Sequence, residues 1–456
     1  MHRLKKTLYS TKSILTKRQI KYILENETSN SNVSITGWIR SVRKQKQLSF
    51  ATVNDGSSLK GIQAILNNED AQSLTTGACV KITGSLMDSP GKEQTKELQV
   101  ESVKVLGECD STYPLQKKRH STEFLRSISH LRMRGNTGSA VLRVRNAAGE
   151  GFHQFFKEQE FILTNTPILT ANDCEGGGEV FKVHTSEEFF KKPVYLTVSG
   201  QLHAETTASA MARVYTFGPT FRAEESLTSR HLAEFWMLEA EAAFIDRLDP
   251  LLDLAEASVQ DTTRYVMKRC EEDLQFFNQW VDKSLLEKLQ KSVDQPFVRM
   301  SYTEAIEVLQ KRQHKFQFPT VWGSSLQSEH ERYLASEYCQ QPVFVTDYPA
   351  EQKPFYMRAN EDDGKTVGCF DLLVPGIGEL IGGSLREERY ELLEQKMKDA
   401  KMDLNEYQWY LDLRKYGSAP HGGYGIGFER FMLWLTGLDN VREVIPMPRW
   451  FGHCKY

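Results

Sequence analysis

Residues 33–107 hold five short stretches in which apolar and polar residues alternate, each closed by turn-forming residues, and this crowding restricts the fold more tightly than any other feature of the chain. The stretches run over 33–43, 48–54, 61–66, 79–87 and 98–106. Alternation sends successive side chains to opposite faces of a strand, so Val80, Ile82 and Leu86 share one face, as do Leu98 and Val100. The runs Asn54-Asp55-Gly56 and Ser89-Pro90-Gly91 supply the positive φ and the fixed φ that sharp reversals need. Five such strands within roughly 75 residues fit a small OB-like barrel.

At 456 residues the chain is too long for one small core. Residues 108–135 are polar and basic, with Lys117, Lys118, Arg119 and His120 in succession, and read as a linker. Beyond them Val141, Val144, Ala148, Phe152 and Phe155 recur at three- and four-residue steps, the period of a helix that Gly149 and Gly151 weaken. The run 161–167 is rich in β-formers and ends on Pro167, which cannot donate to a sheet ladder. Ala255, Val259, Val266, Cys270, Leu274 and Phe277 predict a second helix over 251–277. Strands and helices without regular βαβ alternation point to an α+β domain on an antiparallel sheet.

Composition narrows the function. A hydrophobic share of 40% and a charged share of 26% suit a soluble globular protein. The net charge of -3 gives no overall attraction to nucleic acid, so an RNA contact must come from local basic patches. Seven scattered cysteines form no CxxC pair and no zinc spacing, and read as reduced thiols. No apolar run approaches the ~20 residues of a membrane span, which excludes stable membrane association through one. The first 24 residues carry Arg3, Lys5, Lys6, Lys12, Lys17, Arg18 and Lys21, with no acid before Glu25. That composition suits an organellar transit peptide or a basic arm that touches RNA, and targeting is the expectation.

Two segments carry chemistry. Residues 216–226 and 232–241 read as strands joined by a mobile basic loop with Arg230 and His231. The guanidinium of Arg222 can hold a phosphate in a two-pronged fork that lysine lacks, although an arginine and Glu224 two residues on also describe a common surface ion pair. Near the C-terminus stands Gly422-Gly423-Tyr424-Gly425-Ile426-Gly427-Phe428-Glu429-Arg430. Small residues there let a ligand approach the backbone, and Arg430 at a helix start can stack on an adenine ring. A dinucleotide fold would need these glycines after a parallel strand early in a βαβ unit, and they stand at the far end of the chain.

With these residues in view, the chain resembles the subclass IIb aminoacyl-tRNA synthetases, and among them most closely the asparaginyl branch. Residues 134–167 look like the first class II motif, an interface helix and strand ending on a proline; Phe221-Arg222-Ala223-Glu224 matches the second motif and Gly425-Ile426-Gly427-Phe428-Glu429-Arg430 the third. The similarity runs from about Val33 to the tail 444–449, and HIGH and KMSKS signatures of the other class are absent. Beside the transit peptide that composition suggests over 1–24, it implies an OB-fold anticodon-binding domain over 25–110, a linker over 111–135 and a class II catalytic domain over 136–456, with helices flanking an antiparallel sheet. It also implies a homodimer joined through the first motif, and the basic leader ahead of the barrel makes the mitochondrial matrix the expected location.

The resemblance assigns roles residue by residue. Arg222 would hold the α-phosphate of ATP, Glu224 the adenine end or the tRNA terminus, and His231 the γ-phosphate, while adenine lies between Phe235 and Arg430. Asp371 and Glu379 would bind Mg2+; two carboxylates eight apart are otherwise usually solvated. Ser199, Gln201 and Glu175 would hold the ammonium end of L-asparagine, Arg386 its side-chain carbonyl and Glu239 its amide. The aspartyl enzymes place a lysine where Ala204 stands. Phe50 would stack on the central anticodon base of tRNA(Asn) and Gln63 would bond it, unless Phe50 is simply barrel core; the stretch Ala51-Thr52-Val53 departs from the more polar family pattern. The implied reaction forms asparaginyl-adenylate from ATP and then esterifies the terminal 3′-hydroxyl of tRNA. Alternatives are an aspartyl or relaxed-specificity enzyme, and a catalytically silent RNA-binding paralogue.

Overall fold

The computed structural model describes residues 18–91, 94–172, 179–362 and 364–456. The chain divides into two compact units, residues 1–140 and 141–456.

In the first unit, strands β1 (Asn32–Lys44), β2 (Ser49–Asn54), β3 (Ile62–Leu66), β4 (Cys79–Asp88) and β5 (Lys96–Gly107) close into a barrel in the order β1-β2-β3-β5-β4, with β4 returning to β1. All five coincide with the predicted stretches to within two residues. Period-two alternation sends Ile35, Ile39, Ala51, Val53, Ile62, Ala64, Val80, Ile82, Leu86 and Leu98 inward, where they are buried. The helix Ile20–Asn26 adds Ile20 and Ile23 to that core, and Asp55 of the predicted turn accepts a bond from the Ile20 backbone N–H at 2.8 Å. The barrel unit therefore begins ahead of residue 25. Residues 1–17 of the expected leader lie outside the described residues.

The second unit is built on an eight-stranded sheet. Its strands are β6 (Ile162–Leu163), β9 (Arg213–Phe221), β10 (Glu234–Ala243), β11 (Val298–Ser301), β12 (Val343–Thr346), β13 (Cys369–Val374), β14 (Gly378–Leu385) and β15 (His421–Gly427); β7 (Leu169–Thr170) and β8 (Tyr195–Leu196) form a separate ribbon. The order is β11-β12-β13-β14-β15-β10-β9-β6. The five central pairings are antiparallel as expected, whereas β11 and β6 join the two edges in parallel. The run 161–167 yields only the two residues of β6, because it has one neighbour to pair with and ends at a proline.

The helix Asn136–Glu158 is unbroken by its glycines. A Cβ on Gly151 would stand 3.0 Å from Thr262 Cγ2, so the bare position lets the helix Asp249–Arg269 pack closely. The helix expected over 251–277 is two, Asp249–Arg269 and Glu271–Trp280. Cys270 leaves helical geometry at φ −123 and ψ 37. Lys268 and Arg269 close the first helix while Glu271, Glu272 and Asp273 open the second, the charge order that favours a C-terminus followed by a new N-terminus. Six of the seven cysteines fall among the described residues and carry free thiols.

Candidate active site

The sheet register places the site. Asp371 pairs with Gly382, Gly382 with Gly425, Gly425 with Glu239 and Glu239 with Thr216, so one row crosses five strands. Its middle is two glycines and it is flanked by the carboxylates Glu239 and Asp371. A floor without side chains between two acids is suited to a ligand lying flat on the backbone.

Arg222 follows β9, and its backbone N–H still bonds the Ala233 carbonyl at 3.1 Å. Its guanidinium lies 5.5 Å over the Phe235 ring and 4.0 Å from Glu224. Glu224 in turn approaches Nε2 of His231 at 3.4 Å, and Nδ1 of His231 meets the Ser226 and Thr228 hydroxyls at 2.9 and 2.6 Å. Burial, with Arg430, Arg230 and Arg222 nearby, holds this imidazole below its ordinary value of 6.5 despite Glu224. The intervening loop, expected to be mobile, is tied down. Arg230 pairs with Glu331 at 3.2 Å and bonds Ser328 at 2.8 Å, Val441 N–H donates to the Ser229 carbonyl at 2.9 Å, and Arg442 donates to the Leu227 and Thr228 carbonyls.

Arg430 sits in the first turn of the helix Phe428–Thr436 and donates to both the carboxylate and the carbonyl of Glu379 at 3.1 Å. Asp371 pairs with Lys353 at 3.0 Å. A Cβ built on Gly382 would meet Glu379 Oε1 at 3.4 Å and Asp371 Oδ1 at 3.6 Å, so both carboxylates converge over one glycine. Their environments differ. Burial raises the Asp371 carboxyl against the pull of Lys353, while burial of Glu379 is outweighed by Arg430 and Lys353, and its carboxyl is lowered. Among the described residues no three His, Cys, Asp or Glu side chains gather as a metal cage. Two oxygen donors with open positions are what Mg2+ shared with phosphates uses.

At the β10 position of the row, buried Glu239 accepts the Ser199 hydroxyl at Oε1 and the Gly200 N–H at Oε2, the latter at 2.8 Å. Burial pushes its carboxyl above the usual glutamate value in spite of those two bonds. Gln201 opens the helix Gln201–Met211 and its N–H bonds Ser199 Oγ at 3.1 Å. Arg386 is buried and held from two sides: Nε and NH2 donate to Glu241 at 3.2 and 2.5 Å, and NH1 donates to Ser384 at 2.7 Å. Sequence reasoning missed Glu241. Its only signal was the spacing of two, which puts it on the face of Glu239. It depends on Gly423, whose Cβ would stand 2.3 Å from the Glu241 carboxyl and from the Ala240 carbonyl oxygen. Glu175 lies outside the described residues.

In the barrel, Phe50 and Gln63 occupy the outward positions of β2 and β3, between the buried Ser49, Ala51, Ile62 and Ala64. Phe50 is thus not part of the core. Phe50 pairs with Ile65 and Gln63 with Thr52, which sets the two on one outer face, and Gln63 reaches Glu97 of β5 at 3.5 Å.

Comparison with known proteins adds independent findings. Residues 121–450 match the family described as tRNA synthetases class II (D, K and N), and residues 33–106 match the OB-fold nucleic acid binding domain. The chain is 51% identical to the asparagine--tRNA ligase of Thermosynechococcus vestitus, over 96% of this chain and 100% of that protein. It is 49% identical to the chloroplastic/mitochondrial asparagine--tRNA ligase of Arabidopsis thaliana, over 92% of this chain and 79% of that one. The structure is similar to asparaginyl-tRNA synthetase from Pyrococcus horikoshii complexed with asparaginyl-adenylate, with a TM-score of 0.87 at 30% identity, over 96% of this chain and 98% of the other.

Proposed function

The chain belongs to the class II tRNA synthetases (D, K and N), and on that premise we propose that it joins L-asparagine to tRNA(Asn) by way of an asparaginyl-adenylate. One observation carries the choice of amino acid. Buried Glu239 stands in the glycine row and buried Arg386 is held by Glu241 two residues along the same strand, an acceptor and a donor for a side-chain amide, and position 204 holds alanine where, by the resemblance, aspartyl enzymes carry a lysine. Aspartate would set its carboxylate against Glu239 in a site with little water. Relatives near 50% identity that are asparagine--tRNA ligases support the same reading.

The substrate carboxylate is already ionised, so its attack on the α-phosphorus, which breaks the α–β anhydride bond and expels pyrophosphate, needs no general base. Arg222 gathers charge at that phosphorus, Phe235 and Arg430 sandwich the adenine, and His231 donates a hydrogen bond to the outer phosphate. Asp371 and Glu379 fit Mg2+, which would offset charge on the phosphates. Since each carboxylate already faces a cation, the pair is suited to a metal that arrives with ATP. The 3′-hydroxyl of tRNA then attacks the adenylate carbonyl, AMP leaves with its phosphate taking up the hydroxyl proton, and Phe50 and Gln63 read the anticodon by stacking and edge contact. Pyrophosphate exchange with asparagine and aspartate tests this reading. If aspartate comes within about tenfold of asparagine in kcat/KM, an aspartyl or relaxed enzyme replaces it, because a pocket built for an amide donor should discriminate by ~10⁴. No exchange with either would identify a silent paralogue.

Leu142 in the helix Asn136–Glu158 and Ile162 and Leu163 of edge strand β6 are exposed, which supports a homodimer through this element; sedimentation at micromolar concentration should give twice the chain mass. The basic leader and the organellar relative support the mitochondrial matrix. Because Ile20 and Ile23 complete the barrel core, processing must stop before Ile20. A reporter fused to residues 1–19 should enter mitochondria, and a uniformly cytosolic signal refutes the assignment.

A further inference from the structure

Behind the amino-acid pocket lies a buried carboxylate that the reaction itself does not use. Glu205 is 2% exposed and sits one helical turn beyond Gln201. Its Oε1 accepts from Gln201 Nε2 at 3.1 Å and from Tyr410 OH at 2.9 Å, and its Oε2 from Arg414 NH2 at 2.7 Å and His421 Nε2 at 3.1 Å. Tyr410 and Arg414 come from the helix Gln408–Lys415 and His421 opens β15, so three elements meet at one side chain. Arg414 is itself fixed, its Nε donating to the Glu387 carbonyl at 2.9 Å beside Arg386.

We propose that Glu205 is a positioning residue for amino-acid binding, which locks the side-chain amide of Gln201 with its carbonyl oxygen turned to the pocket. An amide can present either end, and the two ends have opposite hydrogen-bonding sense. A carboxylate accepts only. The Gln201 NH2 must therefore face Glu205, which leaves Oε1, to which no donor among the described residues is bonded, for the substrate. A carbonyl oxygen there receives an ammonium group and rejects a carboxylate. Glu205 remains an acceptor at any working pH, because burial, which would raise its carboxyl, is outweighed by Arg414 and His421. The inference rests on the reading that Gln201 meets the α-ammonium of asparagine.

The test uses Glu205→Gln in the full-length protein and compares asparagine with succinamic acid, which is asparagine without its α-ammonium. Wild type should bind asparagine far more tightly than succinamate in competition against pyrophosphate exchange. Glu205→Gln lets Gln201 turn either end inward, so asparagine should weaken about 10- to 100-fold while succinamate changes less than about threefold, as loss of one charge-assisted contact predicts. The double variant Gln201→Glu with Glu205→Gln reverses donor and acceptor between the two positions and again offers an oxygen to the pocket, so it should recover most of the loss. That rescue also guards against a folding defect in the single variant, which a lowered melting temperature would reveal. Equal weakening of both ligands, or a double variant as poor as the single one, means that Glu205 only supports the fold. If wild type does not prefer asparagine to succinamate, the placement of the ammonium at Gln201 fails instead.

Discussion

Replacing Glu241 by glutamine tests whether a buried ion pair, rather than the substrate, holds Arg386 in place. The two side chains are 1% and 3% exposed and meet through two parallel bonds. Glutamine keeps one acceptor, but turns an NH2 group toward a guanidinium N–H. One charge-assisted bond is lost and a donor faces a donor. Breaking a buried pair from one side typically costs about 3–5 kcal/mol of stability, because the remaining charge is left uncompensated. At about 2–4 °C per kcal/mol for a unit of this size class, the melting temperature should fall by roughly 10 °C. If Arg386 binds the asparagine side chain, its lost alignment should remove about 1.5–3 kcal/mol of transition-state binding, or about 10- to 150-fold in kcat/KM for asparagine. KM for ATP should stay near wild type. Gly423→Ala gives an independent route to the same state, since its Cβ would lie 2.3 Å from the Glu241 carboxyl and equally close to a backbone oxygen that cannot move aside. Pyrophosphate exchange and thermal unfolding read both variants. Glu241→Gln within threefold of wild type in kcat/KM and within 2 °C in melting temperature refutes the claim that Glu241 orients Arg386.

Other expectations follow from the same geometry. Arg222→Ala should reduce exchange by about 10²–10³ with the fold intact, since it removes a preorganised donor; activity within fivefold of wild type means another group holds the phosphate. Phe50→Ala should weaken tRNA binding by about 1–3 kcal/mol without altering tRNA-independent exchange, and an unchanged KM for tRNA would return Phe50 to a structural role on the barrel surface. Glu205 is held below its ordinary value of 4.5, so its stabilising contribution is complete above that pH and is lost as pH falls toward the folded-state value. Urea unfolding at pH 5, 4 and 3 should show a steeper loss in wild type than in Glu205→Gln, and parallel slopes would contradict the linkage.

What the sequence revealed and what it hid divide along a physical line. The barrel strands were legible because one face of each is buried and the other is wet, so period two survives in the residue types. The second helix was read as continuous because Cys270 preserves the apolar period across its break; only the switch from Lys268 and Arg269 to Glu271 and Glu272 marked the boundary. Arg222, Glu224, Asp371, Glu379 and Arg430 were found through local motifs. The groups that hold the pocket in shape had no local motif. Arg386 and Glu241 are 145 residues apart, and Arg414 and Glu205 are 209 apart. Glu241, Glu205 and Arg414 each alone read as a solvated charge, the common fate of their residue types, and Arg386 was singled out only through the resemblance, without its partner.

One trace was nevertheless present. Strand β10 sets Leu238, Ala240 and Ala242 on one face and Met237, Glu239 and Glu241 on the other, and the strand lies between β9 and β15 in the middle of the sheet. A central strand of an α+β domain buries both faces, so two glutamates at period two cannot both be solvated. Each must find a partner inside: Glu239 takes the Ser199 hydroxyl and the Gly200 N–H, and Glu241 takes Arg386. A core gains no stability from such groups over apolar ones of the same volume. Their presence in the middle of the sheet is therefore not explained by stability, and it is the strand order, not the residue spacing alone, that makes this visible.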